Sequence, residues 1–165
     1  MIRTWVFWFL GLFPHVTIRR EGGKPYLTRY CLLGGSPYDT THPWLPFNLF
    51  LHCFHASDEE TPHNHPWRWA RSLILAGSYR EHRQLRWPTL KGAWLHRTFN
   101  PGDVNAIDDE TFHYVTLQTP TVWTLFLGGK KVQTWGFLED GTFSTAREFL
   151  SRKPGATSNV KVIDG

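Results

Sequence analysis

Sulfur is scarce in this 165-residue chain: Cys31 and Cys53 are its only cysteines and it has a single methionine. The two cysteines show neither CxxC spacing nor the density of a disulfide-stapled secreted domain. Both lie in apolar, strand-like runs, so buried free thiols in a reducing, cytoplasmic compartment are expected. A membrane-spanning run is also missing. The apolar stretch Trp5-Val6-Phe7-Trp8-Phe9-Leu10-Gly11-Leu12-Phe13 falls well short of the ~20 residues that cross a bilayer. No small-residue cleavage site follows it, and Pro14 ends it. A short helix or strand packed on the body of the protein, or a dimer contact, is expected there in preference to an interfacial membrane anchor. Dense blocks of one charge are absent as well. The net charge is +4, with arginines and lysines scattered from Arg19 to Lys131, which disfavours nucleic acid and favours a small, anionic molecule as partner. No segment sustains helical periodicity, no internal repeat is visible, and no linker divides the chain.

What is present points to β structure. Nine Trp, twelve Phe, fourteen Gly and eleven Pro suit many short strands joined by turns. Strand-like runs occur at 15–20, 25–33, 48–55, 69–76, 95–99, 103–107, 112–117 and 122–127, and Gly77 turns the chain into Ser78-Tyr79-Arg80-Glu81-His82-Arg83. Gly128-Gly129-Lys130-Lys131 reads as a hairpin turn into a further strand, Val132–Phe137. Residues 36–46 read as a proline-rich loop, 84–94 as irregular, and Thr145–Leu150 as a helical turn. With no helical crossover between strands, the pattern predicts an all-β antiparallel barrel or jelly roll with short terminal helical segments. Residues 1–150 form a single domain in this reading, and 151–165 a polar, flexible tail.

The chemistry centres on Thr61-Pro62-His63-Asn64-His65-Pro66-Trp67. Side chains two apart on a strand share a face, so His63 and His65 project together. His113, in Phe112–Leu117, is the expected third ligand. Three neutral imidazoles suit a divalent metal ion and leave coordination positions open, as in a catalytic rather than a structural site. Turn histidines on a barrel rim are the competing reading. Tyr79 and Glu81 share a strand face, as do Phe50, His52 and Phe54. Tyr79, Glu81 and His52 are the candidate catalytic residues, with His52 as a ligand-orienting group or general base and Glu81 as a stand-in carboxylate. Asn105 is a further candidate, Glu110 and Asp109 read as solvated, and Trp67 and Trp69 are placed to wall a pocket.

These residues resemble the cupin superfamily of jelly-roll barrels. In the first cupin motif, His-x-His precedes a Glu and then a Gly: His63, His65 and Gly77 match, while Ala70 stands at the Glu position. In the second, Gly102 and His113 match in spacing, with Asp108 and Glu110 in place of Pro and Gly and Leu117 in place of Asn. A narrower, RmlC-like resemblance to a cupin group of bacteria and phages runs through Pro25–Tyr30, Leu51-His52-x-Phe54, His63–Trp67, Ser72–Glu81, Pro101–Asn105, Trp123–Phe126 and Trp135–Phe137. The resemblance implies a double-stranded β-helix with a metal at His63, His65 and His113. It also implies an activity like that of the three-His dioxygenases, with Fe(II) ahead of Zn, Ni, Mn or Cu, and pairing into a homodimer. Because Ala70 supplies no carboxylate, the site keeps the full charge of its ion and attracts an anionic substrate. Two other readings stay open: a non-enzymatic binding or assembly module, and a metal-free sugar epimerase or isomerase with a His base and Tyr acid.

Overall fold

Among the described residues, eleven strands pair into antiparallel sheets of six, three and two strands. The computed structural model describes residues 10–34, 45–84 and 93–152. Most of the apolar run at 5–13, most of the 36–46 loop, residues 85–92 and the tail from 153 lie outside the described residues. In chain order the strands are β1 His15–Arg19, β2 Pro25–Leu33, β3 Asn48–Phe54, β4 Trp69–Ala76, β5 Tyr79–Gln84 and β6 Trp94–Phe99. They continue with β7 Val104–Asp108, β8 Phe112–Leu117, β9 Val122–Gly128, β10 Gly136–Glu139 and β11 Thr142–Thr145, and a six-residue helix, α1 Ala146–Ser151, follows.

One sheet runs β1-β2-β3-β9-β4-β7. The other side is β6-β5-β8 and the β10-β11 hairpin, joined through His63, which forms a bridge to His113 on one side and to Phe137 on the other. Every named strand pair is antiparallel. This is the expected all-β jelly roll. Among the described residues, no helix is long and apolar enough to cross a membrane.

The period-two alternation of the strands builds an interior in three layers. Phe50, Phe126, Ala70 and Ile107 join Trp67 and Cys31 in one apolar cluster. Ile74, Tyr79, Phe99, Val115 and Val122, with Phe54 and Leu117 against them, form another. Between them each of six strands contributes one buried polar residue: His52, Ser72, Glu81, Asn105, His113 and Thr124. Apolar layers on either side make polar partners necessary, and Glu81, Asn105 and His113 find them in one another while His52 bonds Arg29. The candidate site grows out of that layer. Cys31 and Cys53 are buried and free.

Two readings of the chain need correction. No hairpin joins Gly128–Lys131 to a strand over Val132–Phe137. Both edges of β9 are already occupied, by β3 and β4, so no edge remains for a returning strand. The glycines serve close approach instead: a Cβ on Gly128 would lie 2.9 Å from the Trp67 ring, and one on Gly129 would run into Trp69. The β10-β11 hairpin had no counterpart in the sequence reading. Its turn places Asp140 at φ 48° and Gly141 at φ 79°, the two positive-φ positions of a type I′ turn, for which Asp-Gly is the usual signal.

Gly77 closes the β4–β5 corner at φ +74°, where a Cβ would overlap the Thr121 carbonyl oxygen. Gly77→Ala therefore combines backbone strain with a clash against main chain, and should destabilise the fold by about 2–4 kcal/mol. Gly22, also at positive φ but with nothing near its missing Cβ, should lose only about 1 kcal/mol on the same change. Urea unfolding of the two variants side by side checks the difference.

Candidate metal centre

The His63-Asn64-His65 segment is fixed on both flanks by main-chain hydrogen bonds. His63 N–H donates to the His113 carbonyl at 2.9 Å and His113 N–H returns the bond at 3.0 Å. The bridge places two expected ligands side by side. Asn64, facing away between the two histidines, donates its N–H to the Gly136 carbonyl and accepts the Gly136 N–H on Oδ1 at 2.8 Å. The Pro62 carbonyl accepts from Leu138 and the Pro66 carbonyl from Val132, while the Gln133 side-chain amide donates to the His65 carbonyl at 2.9 Å. Proline at either end of the motif removes donors the segment could not pair. Residues 132–138 clamp the histidine motif; of the strand expected over Val132–Phe137, only the end from Gly136 is strand, in β10.

His63, His65 and His113 come together: one ring nitrogen from each lies within 4.8 Å of the others. Ring centroids are 5.1–5.2 Å apart for all three pairs. His113 is buried and the other two are half-buried. The Nε2 atoms of His65 and His113 are 2.9 Å apart, and nitrogens bound to one ion at about 2.1 Å and right angles lie about 3 Å apart. The far side of His113 settles which nitrogen faces the cluster. Its Nδ1–H donates to Glu81 Oε1 at 2.6 Å, which leaves the Nε2 lone pair directed at His65. Carboxylate behind, imidazole between and an ion site in front is the arrangement that orients metal-binding histidines. The residues present fit a divalent ion.

Glu81 is therefore not among the clustered donor atoms but behind one of them. The same Oε1 also accepts from Asn105 Nδ2 at 2.9 Å and from Arg83 at 3.0 Å. Burial works against its charge. The hydrogen bonds from His113 and Asn105 and the Arg83 charge outweigh that cost and bring its pKa down to about 2. Tyr79 sits two residues back, its hydroxyl accepting from Asn105 at 3.1 Å. Burial, above all, raises its pKa. His52 lies in the same polar layer against Phe126, a ring that His65 also meets: the two imidazole centroids are 5.1 Å and 6.0 Å from that phenyl ring. Its Nε2 accepts the Nε–H of Arg29 at 3.2 Å. Since guanidinium only donates, His52 carries its proton on Nδ1. Burial and Arg29 hold the His52 pKa well below its ordinary value.

Trp67 is buried and stacks on His65 with centroids 5.9 Å apart, whereas Trp69 points outward over Gly129. Ala70 packs 1% exposed among Phe50, Ile107 and Phe126. Glu110 is on the exposed turn before β8. Two arginines that matter here, Arg29 and Arg83, were not singled out in the sequence. Arg29 had a readable signal: it stands between Leu27 and Cys31 at strand spacing, an inward position for a cation.

No family model matches the chain, and no curated protein matches it. Solved structures do. Fe(II)-HppE with the alternative substrate (S)-1-HPP superposes with a TM-score of 0.51 at 10% identity, over 72% of this chain and 56% of that one. A mutant of the oxalate decarboxylase OxdC from Bacillus subtilis gives 0.55 at 14% identity, over 84% and 32%. Oxalate oxidase in complex with the substrate analogue glycolate gives 0.50 at 12% identity, over 67% and 53%. The chain thus spans between about a third and rather more than half of these neighbours' length. At such identities the likeness establishes the fold, a cupin-type jelly roll.

The buried imidazoles make the metal-free protein acid-sensitive. Burial, ahead of the His113 charge and against Asp58, lowers the His63 pKa to about 4. Burial with the His113, His63, Arg29 and His52 charges lowers that of His65. A histidine depressed by folding binds its proton in the unfolded chain first, so stability is complete above pH ~6.5 and falls with pH below it, by up to about 1.4 kcal/mol per pH unit for each such proton. Glu81, depressed to about 2, adds a loss of the same sign below pH ~4.5. Urea midpoints of metal-free protein should drop between pH 6.5 and 4 and drop again toward pH 2. His63→Asn should flatten the upper part of the curve.

Proposed function

We propose that this chain is a metal-dependent cupin enzyme that uses His63, His65 and His113 to hold one divalent ion and acts on a small anionic molecule. The single observation that carries the reading is the convergence of three imidazoles, with no carboxylate in the group, backed by the carboxylate at His113 Nδ1. Fe(II) is the ion we assign, and the activity we assign is that of an oxygenase. Such an ion supplies Lewis-acid and oxygen-dependent chemistry at the positions the protein leaves open. Imidazole ligands alone leave its charge uncancelled, which favours an anionic partner.

The protein's own groups prepare the site. Glu81 keeps the proton of His113 on Nδ1, so that Nε2 is free to hold an ion when one is bound, and Asn105 and Arg83 hold Glu81 charged and in place. The paired main-chain bonds between His63 and His113 set the spacing of two ligands. Trp67 and Phe126 keep water from one wall. The metal-free epimerase reading is weaker here, because burial raises Tyr79 and burial with Arg29 depresses His52. Neither group exchanges protons readily near neutrality.

Protein purified without a histidine tag and reconstituted with Fe(II) anaerobically should hold close to one equivalent of metal per chain by elemental analysis. His113→Ala should lose it while keeping the near-ultraviolet circular dichroism of the folded barrel. Glu81→Gln should weaken metal binding by about 10–100-fold. Metal retained at the wild-type level by His113→Ala would overturn the ligand assignment, and oxygen uptake across a panel of small anions tests the activity.

A further inference from the structure

We infer that the outer face of the β6-β5-β8 sheet carries a second metal site, in which His82 and His96 clip a divalent late first-row transition ion. The site stands on different residues from the three-histidine centre and does not depend on it. His82 in β5 and His96 in β6 are directly opposed in the antiparallel register. Glu81 points into the barrel, so its neighbour His82 points out. The Nδ1 atoms of the two rings are 2.8 Å apart. Two nitrogens bound at right angles to one ion at about 2.1 Å take nearly that spacing, about 3 Å. His96 is exposed and His82 half-buried, so solvent reaches the pair.

The surrounding strands hold His82 in place from behind. Its ring lies flat on Tyr114, its register partner in β8, with centroids 4.4 Å apart and planes at 5°. Its Nε2 bonds the Thr116 hydroxyl at 3.1 Å. A hydroxyl accepts an imidazole proton, and with that proton on Nε2 the His82 lone pair lies on Nδ1, facing His96. A hydrogen bond on the far nitrogen is what orients a metal-binding histidine. Between the rings a proton fills the place of an ion, one Nδ1 donating to the other. An ion takes that place once His96 carries its proton on Nε2, a change of tautomer without a change of charge. Burial, followed by the His96 and Arg80 charges, lowers the His82 pKa against Glu60 and Glu81, which keeps that imidazole neutral near neutrality. Neutral imidazole is the ligand that suits Ni, Cu and Zn. Among the described residues no third His, Cys, Asp or Glu joins the pair at ligand spacing. The ion is held at two positions and keeps the rest for water or for a donor from another molecule. It also fastens β6, at the edge of its sheet, to β5.

The test is equilibrium dialysis of the full chain against Ni(II), with urea unfolding of the same samples, for wild type, His96→Asn, His82→Asn and His113→Ala. Wild type should take up one Ni(II) more than His96→Asn, and His82→Asn should show the same loss. His113→Ala should keep that outer equivalent. Ni(II) should raise the urea midpoint of His113→Ala, since an ion bound only by the folded pair stabilises the fold. Most of that rise should vanish in His113→Ala/His96→Asn. His96 is exposed, so wild type against His96→Asn carries the test if the other variants do not fold. Uptake by His96→Asn equal to wild type across the titration overturns the inference. A pair that is only a cross-strand hydrogen bond gives that result, with a urea midpoint lowered equally with and without Ni(II). Loss of all Ni(II) in folded His113→Ala overturns it too. A wild type that binds a single Ni(II), lost in His96→Asn and kept in His113→Ala, supports the inference while removing the metal-centre reading.

Discussion

A carboxylate held 3% exposed inside a β barrel is the constraint from which the rest of this interior follows. Left alone, Glu81 would be neutral, because burial opposes its charge. It is charged because Asn105, Arg83 and His113 converge on one of its oxygens. Each donor is on a different element, so the carboxylate ties β5 to β7 and β8 in the middle of the barrel. One consequence is chemical: a charged Glu81 fixes the His113 proton on Nδ1. Another is topological, since β5 and β7 belong to opposite sheets and their polar residues meet only if both sheets are in register with the same layer. Removing Glu81 would leave His113 Nδ1–H without a partner in a buried interior and cost Asn105 and Arg83 one acceptor each, although Asn105 keeps Tyr79 and Arg83 keeps Asn105 Oδ1 and the Ala106 carbonyl.

The ligand-bearing segment is supported differently. Pro62–Pro66 belongs to no named strand, and its main chain is paired by β8 on one side and by the stretch from Val132 to Leu138 on the other. The last part of the chain thus completes the site although it contributes no donor atom to it. Phe137, paired with His63, stacks on Phe149 of α1 at 4.0 Å. Packing of a six-residue helix, too short to be stable alone, is thereby linked to the position of a ligand more than eighty residues earlier.

How much of this was legible in the chain depends on the range of the interaction. Period-two alternation within single strands exposed the inward faces, so Phe50-His52-Phe54 and Tyr79-Glu81 were grouped correctly and the all-β class followed. The spacing of His63 and His65 gave their common face, and the motif spacing through Gly77 and Gly102 brought His113 into the same set. What could not be read was pairing between strands far apart in sequence. Gly128 and Gly129 look like a turn because a glycine pair carries no mark of the tryptophan ring that demands it. Glu81 could be a stand-in carboxylate or a surface charge beside Arg80 and Arg83 until β8 placed His113 Nδ1 against it. Arg29 looked like one more scattered basic residue, and only the register of β2 with β3 turns it into the partner of His52.

The position of the carboxylate relative to the ion site changes the electrostatics of the whole interior. With Ala70 where the related motif has a glutamate, the Glu81 carboxylate sits one imidazole away from the cluster, behind His113, and Asp58 acts on His63 from another direction. Glu81 is already shared with Arg83 and Asn105. The groups that act on His65 are His113, His63, Arg29 and His52, whose charges, where present, are all positive. In a water-poor interior such a set holds a cation poorly unless its ligands are neutral, and burial keeps His63, His65 and His52 neutral by lowering their pKa values.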